Sequence, residues 1–250
     1  DEEVNRPVIS ERGIRALKNL KESLFIFIPL SLLSIVNDID IVLLAPRMPG
    51  IYIRDRFMNK WGVPVFIDTI QDFSGDALSI VLALAKGIGS TRIGAMKISY
   101  REETEIDLFI EQFLLPVITS AIHTSFDFLL EKGYDPEAVL SELYASAEIG
   151  KLIAEASNTN IYQVFKDNAS PTCQYGKMLG MKEIDPDFWR NLLEKTFNRI
   201  KSKNFDDMLK EESQNKYKDL IAYNEQVDET DLVLTHKNYI KAHKKKGSFE

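Results

Sequence analysis

The sequence predicts an α/β domain followed by an all-helical domain, with the boundary near residue 100. Short apolar runs without alternation occur in the first part of the chain, at 24–28, 39–44 and 62–67. Runs of this kind are typical of strands covered on both faces, as in a mostly parallel sheet. Beyond residue 100 the apolar residues recur at helical spacing over longer stretches. We therefore expect an α/β domain over 1–100 and a helical domain over 101–250.

The elements of the first domain follow in order from their apolar spacing. A helix is predicted over 8–20, ahead of the strand-like runs. A second helix is predicted over 74–86, with Ser74 as its candidate cap and Gly87 at its end. Residues 92–100 are predicted to form the last strand of this domain.

The second domain is predicted to consist of long helices. Pro116 is expected to break or kink the first of them, because proline removes a backbone donor and clashes with the preceding turn. Gly133-Tyr-Asp-Pro136 is predicted to form a turn, with the proline starting the next helix. The predicted helices are 103–131, 136–156, 159–167 and 186–203, with shorter ones beyond.

Composition narrows the functional classes. The chain has 250 residues, of which 44% are hydrophobic, so it can bury a large core. A formal charge of -7 argues against a general nucleic-acid binder, which needs a dominant basic surface. A single cysteine, Cys173, excludes an internal disulfide and suits a reducing compartment.

The N-terminus does not have the pattern of a signal peptide, and the apolar run 108–130 carries too many polar groups for a lipid-facing span. We expect a cytoplasmic protein without a nucleic acid or a membrane as partner.

Three carboxylates recur at every fourth position at the start of the most apolar stretch. On a helix, this spacing stacks Glu103, Asp107 and Glu111 along one face. Carboxylates on a helix that is apolar almost all round are expected to be paired or to coordinate a metal, because an unpaired buried charge costs several kcal/mol. The alternative is that acidic residues simply favour a helix N-terminus. That alternative applies less well to Asp107 and Glu111, which lie deeper in the apolar run.

A second candidate ligand is the acid of the helix predicted over 136–156. Glu142 is the one acid on a face of small and apolar residues. It is expected either to meet Asp107 and Glu111 across a helix interface at a metal ion, or to pair with an arginine. Magnesium prefers oxygen ligands, so two or three carboxylates from two helices suffice. The glycine cluster 87–94 lacks the third glycine of the dinucleotide fingerprint, so no cofactor-binding residue is assigned.

Five blocks of the sequence together form a specific pattern. They are Ala-Pro-Arg-Met-Pro-Gly at 45–50, Val-Pro followed by Gln-Asp-Phe-Ser-Gly within 63–75, Glu-Glu-Thr-Glu-Ile-Asp-Leu-Phe-Ile-Glu-Gln at 102–112, Gly-Tyr-Asp-Pro-Glu at 133–137 and Ser-Pro-Thr-Cys-Gln-Tyr-Gly at 170–176. In this order they resemble blocks of ketol-acid reductoisomerase, also called acetohydroxyacid isomeroreductase. The block at 102–112 is similar to the family's metal-binding Glu-Thr-Glu-Thr-Asp-Leu-Phe-Gly-Glu-Gln. The resemblance runs from about residue 2 to about residue 243.

This resemblance implies a partial Rossmann-like α/β domain followed by an all-α, knotted reductoisomerase-like domain. It implies NADP(H) and Mg²⁺ as cofactors, and a 2-hydroxy-2-acyl acid as substrate. The implied reaction of branched-chain amino-acid biosynthesis shifts an alkyl group and then reduces the product. It also implies a homodimer formed through the helical domain. By motif position, the metal ligands are Asp107, Glu111 and Glu142, and the catalytic residues are Glu103, Arg47 and Ser170.

The sequence also departs from the family pattern. Arg47 stands in place of the turn lysine, and Pro29-Leu-Ser31 in place of His-Gly-Phe. Ser146 takes the position of the second glutamate of Glu-x-x-x-Glu, and Glu148 is expected roughly 200° around the helix from the face that this glutamate needs. The resemblance starts partway through the nucleotide domain, so we expect the glycine-rich loop to be absent from this chain. Two interpretations follow: an active reductoisomerase, or a catalytically impaired homologue with a binding or assembly role.

Overall fold

A computed structural model of the protein describes residues 38–202 and 204–243. The predicted helix at 8–20, the predicted strand at 24–28 and the Pro29-Leu-Ser31 departure lie outside these residues. The chain divides into two compact units, Asp1–Asp107 and Leu108–Glu250. Each unit is described by itself below.

The first unit contains a three-stranded sheet in the order β1-β2-β3. Strand β2 pairs antiparallel with β1 and parallel with β3. The expected mostly parallel sheet is therefore found for only one of the two pairings among the described residues. The apolar runs indicate burial on both faces but not strand direction, and this is why the antiparallel pair was missed. The strands are β1 (Ile41–Pro46), β2 (Val65–Gln71) and β3 (Ala95–Lys97).

Three α-helices accompany this sheet within the described part of the unit. They are α1 (Gly50–Met58), α2 (Ala77–Gly87) and α3 (Tyr100–Phe109). The core is formed by Val65 and Ile67 of β2, which pack with Val81 and Ala85 of α2. Burial of these four side chains holds α2 against the sheet and fixes β2 as the support for the elements that follow.

Helix α2 begins later than predicted, and Ser74 is not its cap. The cap position belongs to Asp76. The Ser74 Oγ instead accepts the Asp76 N–H at 3.0 Å, and Asp72 Oδ1 accepts the Ala77 N–H at 3.2 Å. The strand predicted over 92–100 is also shorter, because a 3₁₀ turn over Ser90–Arg92 precedes it and α3 already starts at Tyr100.

The second unit is helical throughout its described residues. A π-helical segment, Ile110–Leu114, leads into α4, and another, Ser141–Ala145, follows α5. The helices are α4 (Leu115–Glu131), α5 (Pro136–Leu140), α6 (Glu148–Glu155), α7 (Ile161–Asn168), α8 (Pro171–Glu183), α9 (Pro186–Lys201), α10 (Asn204–Gln214), α11 (Lys218–Asp228) and α12 (Asp231–His243).

The disturbance expected at Pro116 lies just before that residue. Pro116 is in the first turn of α4, and the wider π-helical turn covers Ile110–Leu114. Proline cannot donate to the carbonyl four residues earlier, and its ring presses on that carbonyl. A local change to π-helical bonding relieves this clash without ending the helix.

The single helix predicted over 136–156 is wrong. Ser146 N donates to Ser141 O at 3.2 Å, a π-type bond, and Ala147 then adopts a left-handed backbone with φ of 63°. Helix α6 starts only after this break, at Glu148. Glu142 and Glu148 therefore do not lie on one continuous helix, and the angle between them is not the one expected from regular helical spacing.

A compact core positions the segment that carries Glu142. Phe126 of α4 and Leu140 of α5 are completely buried and form this core with Val139. Leu232 and Tyr239 of α12 pack against it. The chain on either side of Glu142 is therefore held by burial of large side chains, which contributes about 1.5–3 kcal/mol for each.

One helix in the described residues is long and apolar enough to cross a membrane by length and composition alone. It is the helical stretch Tyr100–Glu131, whose most apolar window has a mean hydropathy of 1.5 and is 6% buried within the chain. A single helix of this kind is weak evidence, since core helices of soluble proteins meet the same criterion.

Candidate functional site

Helix α3 is fixed at its start by side chains that accept its first backbone donors. Asp68 Oδ2, on β2, accepts the Tyr100 N–H at 2.8 Å. Ser99 Oγ accepts the Glu102 N–H at 3.2 Å and donates to Glu102 Oε2 at 2.7 Å. Each of these acceptors satisfies a donor that the helix cannot satisfy itself. Because Asp68 belongs to the central strand, the acidic face of α3 is held at a defined place beside the sheet.

Two of the predicted acids converge on one cation in the first unit. Arg47 Nη2 donates to Glu103 Oε1 at 2.7 Å, and Arg47 Nη1 donates to Asp107 Oδ1 at 3.0 Å. The Glu103 side chain is 9% exposed and that of Asp107 is 45% exposed. The expectation that carboxylates on this helix need a partner is met here by a guanidinium group. The structure therefore brings together three of the predicted site residues, Glu103, Arg47 and Asp107.

No pattern in the sequence indicates the other groups that hold Arg47. Its Nε donates to the Ala45 carbonyl at 3.2 Å, and its guanidinium carbon lies 4.8 Å from the centre of the Phe66 ring. Neither group has a charge or a motif that would mark it. Ala45 lies on β1 only two residues before Arg47, whereas Phe66 lies on β2 and is brought next to Arg47 by the register of that strand pair.

Glu111 lies in the second unit and lines an open groove of about 580 Å³ beside α4. Hydroxyl and charged groups dominate the polar part of this groove. His123 Nε2 lies 3.6 Å from Asp127 Oδ2, a spacing at which a protonated imidazole pairs with the carboxylate. The other lining residues are Leu115, Pro116, Thr119, Ser120, Thr124 and Tyr223.

Glu142 is exposed on the π-helical segment of the second unit. Two positions along, the Tyr144 hydroxyl lies 2.6 Å from His236 Nδ1 on α12, which ties this segment to the C-terminal helix. Burial raises the pKa of the Tyr144 hydroxyl above its usual range, so it stays protonated at neutral pH. The Tyr144–His236 pair holds the backbone from which Glu142 projects.

Ser170 is the N-cap of α8. Its Oγ accepts the Cys173 N–H at 3.3 Å, and Pro171 occupies the first turn. Helix α8 was not predicted, because Gly176 and Gly180 interrupt a sequence with little apolar periodicity. The capping serine followed by proline was the signal that would have located its start.

The donor chemistry of this chain suits Mg²⁺, which prefers carboxylate oxygens. Asp107 holds a cation in this structure, namely the guanidinium of Arg47. Within residues 38–202 and 204–243, no group of three or more His, Cys, Asp or Glu side chains is gathered closely enough to hold a metal. The carboxylate side chains are therefore of the kind that binds Mg²⁺. In this structure, however, the positive charge next to Asp107 is the guanidinium group of Arg47.

The comparisons with protein families cover both parts of the chain. Residues 100–243 match the family described as "Ketol-acid reductoisomerase, C-terminal domain". Residues 14–94 match "Acetohydroxy acid isomeroreductase, NADPH-binding domain". Among curated proteins, the chain is 37% identical over 172 residues to the ketol-acid reductoisomerase (NADP(+)) of Pyrobaculum aerophilum, covering 68% of this chain and 51% of that protein. It is 33% identical over 170 residues to the enzyme of the same name from Methanocaldococcus jannaschii, with the same coverage of each chain.

A solved structure shows the same fold. The NADH-preferring ketol-acid reductoisomerase from an uncultured archaeon superposes with a TM-score of 0.76 at 25% identity, covering 82% of this chain and 62% of that one. The chain spans about half the length of the curated relatives that it matches. The predicted order of an α/β nucleotide-binding domain and a helical reductoisomerase domain is confirmed. With more than half of its residues matched to one of these family domains, the chain belongs to the ketol-acid reductoisomerase family.

Proposed function

We propose that this chain acts as an NADP(H)-dependent ketol-acid reductoisomerase of the cytoplasm. Its substrate would be a 2-aceto-2-hydroxy acid of branched-chain amino-acid biosynthesis, which undergoes alkyl migration and then reduction. The observation that carries the proposal is the convergence of Glu103 and Asp107, one helical turn apart, on a single positive charge. An acidic face that holds a cation is what this chemistry requires, because the reaction develops negative charge on substrate oxygens.

The proposed metal ligands are Asp107, Glu111 and Glu142. Mg²⁺ held there would supply Lewis acidity and a template for the two oxygens of the substrate. Glu103 is the least exposed acid of the cluster, and its proposed role is to hold or move a proton beside the reacting oxygens. Arg47 holds Glu103 in place and stays charged, so it orients this carboxylate without exchanging a proton itself.

Ser170 is proposed to bind the substrate through its hydroxyl. The Oγ already accepts a backbone N–H of α8, and a hydroxyl retains a proton that it can donate to a substrate oxygen. The cap at the helix start fixes the position of the Ser170 oxygen, while its proton can rotate toward a substrate. The NADP(H) requirement is proposed from the match to the NADPH-binding domain and from the printed names of the curated relatives.

The first prediction is enzymatic. Purified protein with saturating Mg²⁺ and 2-acetolactate should oxidise NADPH, followed as loss of absorbance at its reduced-nicotinamide band. Asp107→Asn should lower kcat/KM by roughly 100-fold or more, because it removes a charged ligand of the proposed ion. Asp207→Asn, an exposed acid of α10, is the matched control and should keep full activity. Absence of turnover by the intact polypeptide with either nicotinamide cofactor would refute the enzymatic proposal.

A second candidate is a catalytically impaired homologue with a binding or assembly role. It is favoured by Ser146, which stands where a second glutamate is expected, and by the backbone break at Ala147 that follows it. Calorimetry with Mg²⁺ and a 2-hydroxy acid separates the two candidates. Substrate binding that is lost in Asp107→Asn counts against a purely structural role.

A further inference from the structure

Arg47 is held in place by groups other than its two carboxylate partners. Its backbone N–H donates to Pro64 O at 2.9 Å, and its Nε donates to Ala45 O at 3.2 Å. The guanidinium carbon lies 4.8 Å from the centre of the Phe66 ring, within the range of a cation–π interaction. These three contacts come from β1, β2 and the residue before β2. They orient the guanidinium toward α3, so less rotamer entropy is lost when it binds the acids.

The free edge of the guanidinium is shared between two successive turns of α3. One terminal nitrogen bonds Glu103 and the other bonds Asp107, at 2.7 Å and 3.0 Å. Both bonds are charge-assisted and therefore stronger than neutral hydrogen bonds. The Arg47 and Glu103 side chains are 25% and 9% exposed, so water screens their bond less than it screens a surface ion pair, whereas the bond to Asp107, whose side chain is 45% exposed, is screened more. One fixed positive charge therefore serves both carboxylates.

We infer that Arg47 is a built-in counter-ion that competes with divalent metal for Asp107. The inference rests on the proposed function, which makes Asp107 a metal ligand. A divalent ion approaching Asp107 must displace the Nη1–H donor and then lie close to the positive charge of a guanidinium that its other contacts hold in place. Both effects weaken metal binding. The apparent metal affinity of this chain is therefore set by residue 47 as well as by the acids that bind the ion.

Two substitutions separate charge from geometry. Arg47→Met removes the charge and keeps an unbranched, flexible side chain against Phe66. Arg47→Lys keeps the charge but replaces the planar fork with a point charge on a flexible stem, which cannot bridge Glu103 and Asp107 in the same way. Arg101→Met is the matched control, because Arg101 is an exposed arginine on the same helix.

The experiment measures metal binding directly, without turnover. Mn²⁺ binding is followed by electron paramagnetic resonance and Mg²⁺ binding by calorimetry, since carboxylate sites accept both ions. The wild-type chain and Arg101→Met are expected to bind weakly and equally. Arg47→Met is expected to bind at least tenfold more tightly, with Arg47→Lys intermediate. The Tm of Arg47→Met should rise with added Mg²⁺ more than that of the wild-type chain, because ligand binding to the native state stabilises it.

The outcomes distinguish failure of this inference from failure of the proposed function. Equal metal affinity in the wild-type chain, Arg47→Met and Arg47→Lys would overturn the competition and leave the metal site standing. If Arg101→Met gained as much metal affinity as Arg47→Met, the inference would also be overturned, since removal of any positive charge would then explain the effect. No metal binding by any variant would overturn both the inference and the proposed Mg²⁺ site. If Arg47→Met does not fold, as judged by circular dichroism, the comparison of Arg47→Lys with the wild-type chain decides.

Discussion

At the scale of single residues, several carboxylates in the described part of the chain accept N–H donors that fix the local backbone. Asp40 is the clearest case outside the candidate site. Its Oδ1 accepts the N–H groups of Phe73 and Ser74 at 2.8 Å and 2.9 Å, and its Oδ2 accepts the Ser74 hydroxyl at 2.6 Å. These bonds join the start of β1 to the loop before α2. The Ser74 hydroxyl, more than any other group, lowers the pKa of Asp40 below its ordinary value of 3.8.

This pairing predicts a pH-dependent contribution to stability. Because the pKa of Asp40 is lower in the folded chain, its contribution is complete above the ordinary value of 3.8 and is lost as the pH falls through the folded value. Asp40→Asn should therefore be less stable than the wild-type chain near neutral pH, by about 0.5 kcal/mol, because water screens these exposed bonds. Urea unfolding at a series of pH values should show this gap closing below about pH 4. A gap that stays constant down to strongly acidic pH would contradict the assignment.

The residue scale also shows how far sequence reasoning reaches at the candidate site. The four-residue spacing placed Glu103 and Asp107 on one face of a helix, and the apolar surroundings required a partner for them. The partner is 56 and 60 residues away in sequence, and no local pattern links Arg47 to these acids. Arg47 was predicted as a site residue only through the family resemblance, in which it stands in place of a turn lysine. Its contacts depend on the β1–β2 pairing, which cannot be obtained from one-dimensional spacing.

At the scale of secondary-structure elements, the helical domain is less regular than its sequence predicts. Apolar spacing located α7 and α9 within a few residues, but it missed α8 and joined α5, the following π-helical segment and α6 into one helix over 136–156. Ala147 is a strong helix former, so nothing in its side chain signals the left-handed backbone that it adopts. Leu143, Tyr144 and Ala145, just before the break, pack against the core of Phe126 and Leu140, and tertiary packing of this kind can override local propensity.

The strained backbone at Ala147 gives a prediction at this scale. A left-handed conformation costs a residue with a Cβ roughly 1 kcal/mol relative to glycine. Ala147→Gly should therefore raise the free energy of unfolding by about 0.5–1 kcal/mol, measured by urea denaturation. Ala154→Gly, in the last turn of α6, is the matched control and should lower the free energy of unfolding, by less than the roughly 1 kcal/mol of a helix interior. Destabilisation by Ala147→Gly would show that the left-handed turn is not the native conformation.

At the scale of the whole molecule, an exposed apolar helix indicates a surface for binding a partner. The helical stretch Tyr100–Glu131 is apolar, yet only 6% of its most apolar window is buried within this chain. Exposed aliphatic residues on α4 include Leu115 and Ile118, at 52% and 42% exposure. Contiguous apolar surface of this kind is typical of protein–protein or membrane contact rather than of a free surface. Apolar periodicity did not predict this exposure or its extent. It indicates that a helix face is covered, but it does not show whether the same chain or another molecule covers it.

We expect a second copy of the chain to cover this helix, in line with the predicted homodimer of the helical domain. Light scattering after gel filtration, without detergent, should give a mass twice that of the 28.6 kDa chain. Ile118→Glu should shift the mass toward the monomer, because it would bury an unpaired charge in the interface. Ile51→Glu, on an exposed face of α1 in the other unit, should leave the dimer intact. A monomeric wild-type chain that binds lipid vesicles through this helix would instead identify a membrane surface as the partner, and a monomer with no vesicle binding would contradict both.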